Sequence, residues 1–158
     1  MQHFMFTPEW KEGCSGCSVQ ADSVDGARYH FEPKDVSFVA VSRASIEKLQ
    51  AFKERMGWKF KWVSSGGSDF NFDFGVSFTP EQLKKGRAIF GIEEQEIDMA
   101  DLPAISVFYK NERGEIFRTY FNKSGDQQLL PVYGYLDVTP VGRNEKSYFD
   151  WIKHHDKY

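Results

Sequence analysis

The chain alternates short apolar runs with amphipathic stretches almost from its first residue. Met1-Gln2-His3-Phe4-Met5-Phe6 reads as a strand beginning at the initiator; it lacks the basic segment and long apolar run of a secretory signal. Such a start leaves two readings, a minimal domain or a shortened N-terminus. Thr7 to Gly13 is a polar loop holding Pro8 and Trp10. Cys17, Ala21, Val24 and Phe31 then recur at helical spacing, which predicts a helix that tolerates Gly26 and ends at Pro33. The β-branched run Val36 to Val41 predicts a buried strand. Ser42 or Ser45 caps a second helix, whose Ile46, Leu49, Phe52 and Met56 share a face and which Gly57 stops.

Phe60 to Val63 predicts another strand, closed by the serine and glycine run 64–68. Phe70, Phe72, Phe74, Val76 and Phe78 alternate with mostly polar residues, which predicts a strand or an extended aromatic wall. Thr79-Pro80-Glu81 is a helix start, a threonine cap followed by proline in the first turn. Beyond an acidic connector, Ala104 to Tyr109 and Glu115 to Phe121 predict two strands joined as a hairpin through Asn111-Glu112-Arg113-Gly114. Asp126 to Leu130 predicts a short helical turn kept from growing by Pro131 and Gly134. The tail from Thr139 is polar, with Tyr148, Phe149, Trp151 and Ile152 predicted to dock it as an amphipathic helical end.

Alternating strands and helices followed by a hairpin imply an α/β sandwich, with parallel pairing first and antiparallel edge strands after. In such sheets ligands gather at the carboxyl ends of the strands, where the loop carrying Cys14 and Cys17 lies. The 158 residues suit one domain, 1–158, with about 139–158 as a polar extension, and 41% hydrophobic residues suffice for a core without staples. No apolar run nears the roughly 18 residues of a membrane helix. A net charge of −3 argues against a nucleic-acid partner. Two cysteines are too few for a disulfide scaffold or a four-thiolate zinc site.

Those two stand three apart, as Cys14-Ser15-Gly16-Cys17. A thiol attacks a disulfide only as its thiolate, so a redox cysteine needs a lowered pKa and an exposed sulfur. A helix N-terminus gives Cys14 both, through unpaired N–H groups and the helix dipole. Cys17, one turn in and first in the apolar stripe, is the buried resolving thiol. Two other readings stand beside this one: ordinary core cysteines, and a zinc site completed from His3, His30, His154 and His155, none at convincing ligand spacing. Asp69-Phe70-Asn71-Phe72-Asp73 opens like a calcium loop, but Phe74 and Pro80 stand where glycine and glutamate are required.

Cys14-Ser15-Gly16-Cys17 at a strand–helix junction, Leu102-Pro103 before a strand and Phe108-Tyr109-Lys110-Asn111 entering a hairpin together resemble thioredoxin. The resemblance implies a central mixed β-sheet flanked by helices, with an insertion before the proline strand. It also implies a cis Pro103 beside the reactive pair, leaving a backbone edge open to a substrate peptide; the alternative is a trans proline at a strand start.

A closer resemblance runs through His3-Phe4-Met5-Phe6, Glu12 to Ser18, Val41-Ser42-Arg43-Ala44, Arg55-Met56-Gly57-Trp58, Asp69 to Phe78 and Leu136 to Arg143. These segments look like domain-of-unknown-function family 899, bacterial thioredoxin-like proteins regarded as dithiol–disulfide oxidoreductases. Members usually carry a proline where this chain has Ser15, and more sequence before the first strand.

The expectation is thus an enzyme of the reducing bacterial cytoplasm in which Cys14 attacks and Cys17 resolves, with no cofactor and no metal. Trp10, Ser15, Gly16, Arg43, Leu102 and Pro103 are the expected substrate contacts. Trp10 serves as a lid or as packing; Arg43 acts as a cation for the thiolate or an anionic substrate, or sits in a local ion pair. The first strand carries no buried acid of the thioredoxin kind, and Glu9 and Glu12 are the nearest carboxylates. Expected partners are a disulfide-containing protein or a small thiol or disulfide, with a second copy of the chain as a further candidate. The alternatives are a peroxiredoxin-like thiol peroxidase and a non-catalytic binding module using Pro103 and the aromatic wall.

Overall fold

The computed structural model describes residues 1–123 and 129–158. Five strands form one mixed sheet: β1 (Gln2–His3), β2 (Val39–Ser42), β3 (Lys61–Ser64), β6 (Ala104–Lys110) and β7 (Ile116–Lys123), in the order β3-β2-β1-β6-β7. β1, β2 and β3 run parallel, while β6 pairs antiparallel with both β1 and β7. The long helix α1 (Ser15–Phe31) joins β1 to β2, and α2 (Ile46–Arg55) joins β2 to β3. Such a central mixed sheet flanked by helices is consistent with a thioredoxin-like α/β fold.

Register sorts the two faces. Gln2, Ala40 and Trp62 stand side by side across β1, β2 and β3 and face α1 and α2. Against them pack Cys17 and Ala21 of α1, Leu49 and Phe52 of α2, and Met56 just beyond it, with Phe4, Phe6, Trp58 and Phe60 completing an aromatic core. The neighbouring row, His3, Val41 and Val63, faces the other way. There α3 (Phe70–Asp73) lays Phe70 and Phe74 on the His3 ring, with centroids 6.4 and 5.1 Å away. Beyond α3, α4 (Pro80–Lys85) and the hairpin β4 (Arg87–Phe90)–β5 (Glu93–Glu96) build a second small core of Val76, Phe78, Ala88, Phe90 and Ile97 against Ala104. Residues 65–103 are therefore the expected insertion.

Several local expectations change. Residues 36–38 lie outside β2, and Val36 is exposed. Of the two serines, Ser45 caps α2 through the Lys48 amide, while Ser42 is a buried strand residue. The 70–78 alternation is no strand: a spacing of two contains the spacing of four, and Phe70 and Phe74 meet one helical turn apart at 4.7 Å. The acidic connector holds the β4–β5 hairpin, because burial of Ala88, Phe90 and Ile97 outweighs the poor strand propensity of its glutamates. Most of the turn predicted for Asp126 to Leu130 falls on 124–128, outside the described residues. Pro131, read as a stop, instead opens α5 (Pro131–Asp137), where its missing N–H costs nothing. The tail from 138 folds as turns, with a short 3₁₀ turn at His155–Lys157 in place of an amphipathic helix.

The Leu102–Pro103 bond is trans, as are all peptide bonds among the described residues, which corrects the cis expectation. Leu102 N–H already donates to Val76 O at 2.9 Å and Ser77 bridges Asp101, so the chain enters β6 extended. Pro103 then sits just ahead of the ladder, where no N–H is called for.

Ser42 ties β2 to β3 and to the extended chain just after β1: its hydroxyl donates to Phe4 O (2.6 Å) and accepts from Trp62 Nε1 (3.0 Å), with no exposure. Ser42→Ala strands both partners in the core and is expected to cost about 1–3 kcal/mol, read as a lower urea midpoint at unchanged slope. An unchanged midpoint would contradict this account.

Candidate active site

The site is set by how β1 hands over to α1. After His3 the chain stays extended, with Phe4 N–H on Val41 O (2.9 Å) and Ala44 N–H on Phe6 O (2.8 Å). It then loops and returns, and Cys14 N–H donates to Met5 O at 3.0 Å. Gly13 permits the return, since a Cβ there would lie 2.7 Å from the Phe4 ring. Lys48 holds the loop by donating to the carbonyls of Pro8 and Trp10.

Cys14 is the N-cap of α1. Its sulfur accepts from Cys17 N–H at 3.5 Å, and its carbonyl accepts from the Ser18 amide (3.0 Å) and hydroxyl (2.8 Å). The thiol is drawn down to about 7, chiefly by a hydrogen bond from the Cys17 thiol; burial opposes the shift, and the Cys17 and Gly16 amides add to it. Cys17 is 2% exposed and moves the other way, its proton held by the bond to Cys14, by burial and by the Cys14 charge. Both cysteines are free. One thiol is thus poised as a thiolate near neutrality, and its neighbour stores the proton.

Cys14 opens on a cleft of about 470 Å³ with an apolar lining. Met5 and Cys17 lie at its base, Ser15 and Gly16 at the helix start, and Trp10, Met99, Pro103, Tyr148 and Phe149 around it. A Cβ on Gly16 would approach the Phe149 ring to 3.0 Å, so glycine lets that ring close on the helix start.

The family model described as "bacterial protein of unknown function" (DUF899) matches residues 1–158. The chain belongs to DUF899. No curated protein and no solved structure matches it.

In this DUF899 protein the C-terminal segment completes the cleft. Phe149, held at φ +66°, stacks on Tyr148 (4.0 Å) and on Tyr133 of α5 (5.9 Å). Glu145 accepts from the Tyr133 hydroxyl (3.0 Å) and Trp151 Nε1 (2.9 Å), and Arg143 lies over the Tyr133 ring. The last residues clasp the cysteine loop: His154 Nε2 pairs with Gly13 O at 2.8 Å, Lys157 with Glu12, and Arg55 with both Glu12 and Asp156. Lys157 first, then Arg55, hold the Glu12 carboxyl below its ordinary range.

Of the expected contacts, Trp10, Ser15, Gly16 and Pro103 line the cleft with the cysteines, while Arg43 and Leu102 do not. Arg43 pairs with Asp101 at 2.8 Å and lies over the Phe72 ring, and Leu102 packs into the second core. Met5, Met99, Tyr148 and Phe149 were not legible as site residues; for Tyr148 and Phe149 the only signal was an aromatic cluster in a polar tail. Among the described residues no three His, Cys, Asp or Glu side chains converge as a ligand set. His3 faces away, bonded to Ser106 Oγ at 3.0 Å; burial, then the N-terminal ammonium and Arg118, push it down to about 4. His155 pairs with Asp22, and His30 is exposed.

Iodoacetamide is expected to alkylate Cys14 at a rate rising with pH through a midpoint near 7, while Cys17 reacts only on unfolding. Cys17→Ala removes the main donor and should move the midpoint up, toward the ordinary thiol value of about 8.5. A wild-type midpoint already near that value, or Cys17 reacting first, would refute the assignment.

Proposed function

We propose that this protein is a thiol–disulfide oxidoreductase, with Cys14 as nucleophile and Cys17 as resolving thiol. The observation that carries the reading is the asymmetry of the pair: Cys14 caps a helix, has a lowered pKa and opens on a cleft, while Cys17 is buried one turn deeper with its pKa raised.

The chemistry follows from that asymmetry. The Cys14 thiolate attacks one sulfur of a substrate disulfide; the S–S bond breaks and the departing thiolate takes a proton from water. Bonding to the substrate removes the charge and the acceptor that held the Cys17 proton, so two of the causes raising its pKa vanish. Cys17 then ionises more readily, attacks the Cys14 sulfur and releases the second thiol. Two electrons pass from the pair to the substrate, leaving a Cys14–Cys17 disulfide. An external dithiol returns them. The reducing cytoplasm is the compartment in which such a pair is kept as thiols.

A peroxidase reading draws less support. Arg43 is spent on Asp101, and no cation lines the cleft among the described residues.

The test uses reduced protein and bis(2-hydroxyethyl) disulfide, followed by intact mass. Wild type should end as the internal disulfide, Cys17→Ser should stall as a mixed disulfide on Cys14, and Cys14→Ser should stay reduced. Oxidation of Cys14→Ser at the wild-type rate would overturn the assignment. Faster oxidation of wild type by hydrogen peroxide than by the disulfide would favour the peroxidase.

A further inference from the structure

We infer that the substrate is a low-molecular-weight disulfide bearing an aromatic or bulky apolar group beside its sulfurs, rather than a protein segment paired along the backbone. The inference rests on the dithiol chemistry proposed above and concerns which disulfide reaches Cys14.

Three observations point the same way. The first is the cleft wall. Met99 and Pro103 on the connection between β5 and β6, Trp10 on the cysteine loop and Phe149 on the C-terminal segment surround Cys14, and no Lys, Arg, Asp or Glu lines the cleft among the described residues. Burial there favours an apolar group and leaves a carboxylate or ammonium without a partner. A volume of about 470 Å³ falls in the range of small-molecule sites.

The second observation is the state of the edge beside Pro103. An extended peptide docking there would need free backbone groups to pair with. Leu102 N–H is already given to Val76 O and Ala100 O to Phe78 N–H, both at 2.9 Å, and Ser77 and Asp101 form the bridge between them. The insertion thus already takes the Leu102 amide that an incoming strand would pair with.

The third is the fixed cation. Arg43, expected as a cation for an anionic substrate, is bound to the buried Asp101, which also accepts from Ser77 Oγ at 2.6 Å. Recognition is left to shape and apolar contact.

With such a disulfide the Cys14 thiolate bonds to one sulfur, the substrate S–S bond breaks, and the first thiolate leaves and is protonated by water. Cys17 then displaces the second thiol, which leaves in the same way. The pair is oxidised by two electrons and the substrate reduced by two. A dithiol reductant such as dithiothreitol resets the protein.

The experiment is a single-turnover comparison on the reduced full chain with benzyl 2-hydroxyethyl disulfide, bis(2-hydroxyethyl) disulfide, glutathione disulfide and insulin. Each rate is divided by that of a free low-molecular-weight thiol with the same compound, which removes intrinsic reactivity. The benzyl compound should react at least about tenfold faster than the bis-hydroxyethyl one and saturate, the scale at which an apolar pocket discriminates. Glutathione disulfide and insulin should be slower than both. Met99→Ala, at a residue 41% exposed and so outside the cores, should shrink the preference, and Phe149→Ala should do so too. Equal normalised rates for the two small disulfides would overturn the inference, as would faster reaction of glutathione disulfide or insulin. Reaction with none of the four would overturn the dithiol reading itself, and this inference with it.

Discussion

The site depends on one joint, where the start of α1 is fastened to the end of the first strand. Cys14 makes it with three groups at once. Its amide is held by Met5 O, its carbonyl takes the Ser18 amide and hydroxyl, and its sulfur caps the helix through the Cys17 amide. The Cys17 thiol contributes most to favouring the Cys14 anion, and the Cys17 amide, which has no intrahelical acceptor at the helix N-terminus, adds to it. Position comes from the backbone bonds, and reactivity mainly from the second cysteine one turn along. Gln2 reinforces the joint from the strand side, its amide donating to Cys17 O and Gln20 Oε1 deep in the sheet–helix interface.

Around the joint, two segments far apart in sequence decide what Cys14 can meet. The insertion supplies Met99 and, by pairing with itself through Ser77 and Asp101, closes the backbone edge beside Pro103. The C-terminal segment supplies Tyr148 and Phe149 and is anchored to Glu12 and Gly13 of the cysteine loop and to Arg55 of α2. Those ion pairs are largely solvent-exposed and individually weak. The stacked Tyr133, Tyr148 and Phe149 rings, with Arg143 over Tyr133, give the segment its shape.

Much of this was legible from residue patterns, for identifiable reasons. Strand–helix alternation and the Asn111–Gly114 hairpin are local signals, and tertiary packing left them intact. The cap at Thr79 and the cysteine pair at a strand–helix junction carry their chemistry within a few residues. Where the reading failed, distant contacts decided. Phe70 to Phe74 fit either an alternating strand or a helical turn, and in the helical turn Phe70 and Phe74 both meet the buried His3 ring. Arg43 sat at the right edge of the sheet, yet Asp101, far along the chain, claimed its charge. Pro103 is trans because the insertion reaches β6 already extended and hydrogen-bonded. Phe149 was expected to dock the tail but not to reach the cleft, since that role rests on a turn-built tail folding back over α1.

On the proposed reading, Cys14 and Cys17 form a working dithiol couple that donates electrons. A Cys14 pKa near 7 marks a thiolate stabilised only moderately, whereas strongly oxidising pairs owe their potential to a far more stable reduced form. The decisive measurement is the equilibrium potential of the couple, titrated in dithiothreitol buffers and read from the fraction of protein carrying both thiols alkylated. A single two-electron transition near about −270 mV, at the reducing end of the range, is expected. A midpoint near about −120 mV, or no internal disulfide at any buffer composition, would contradict it.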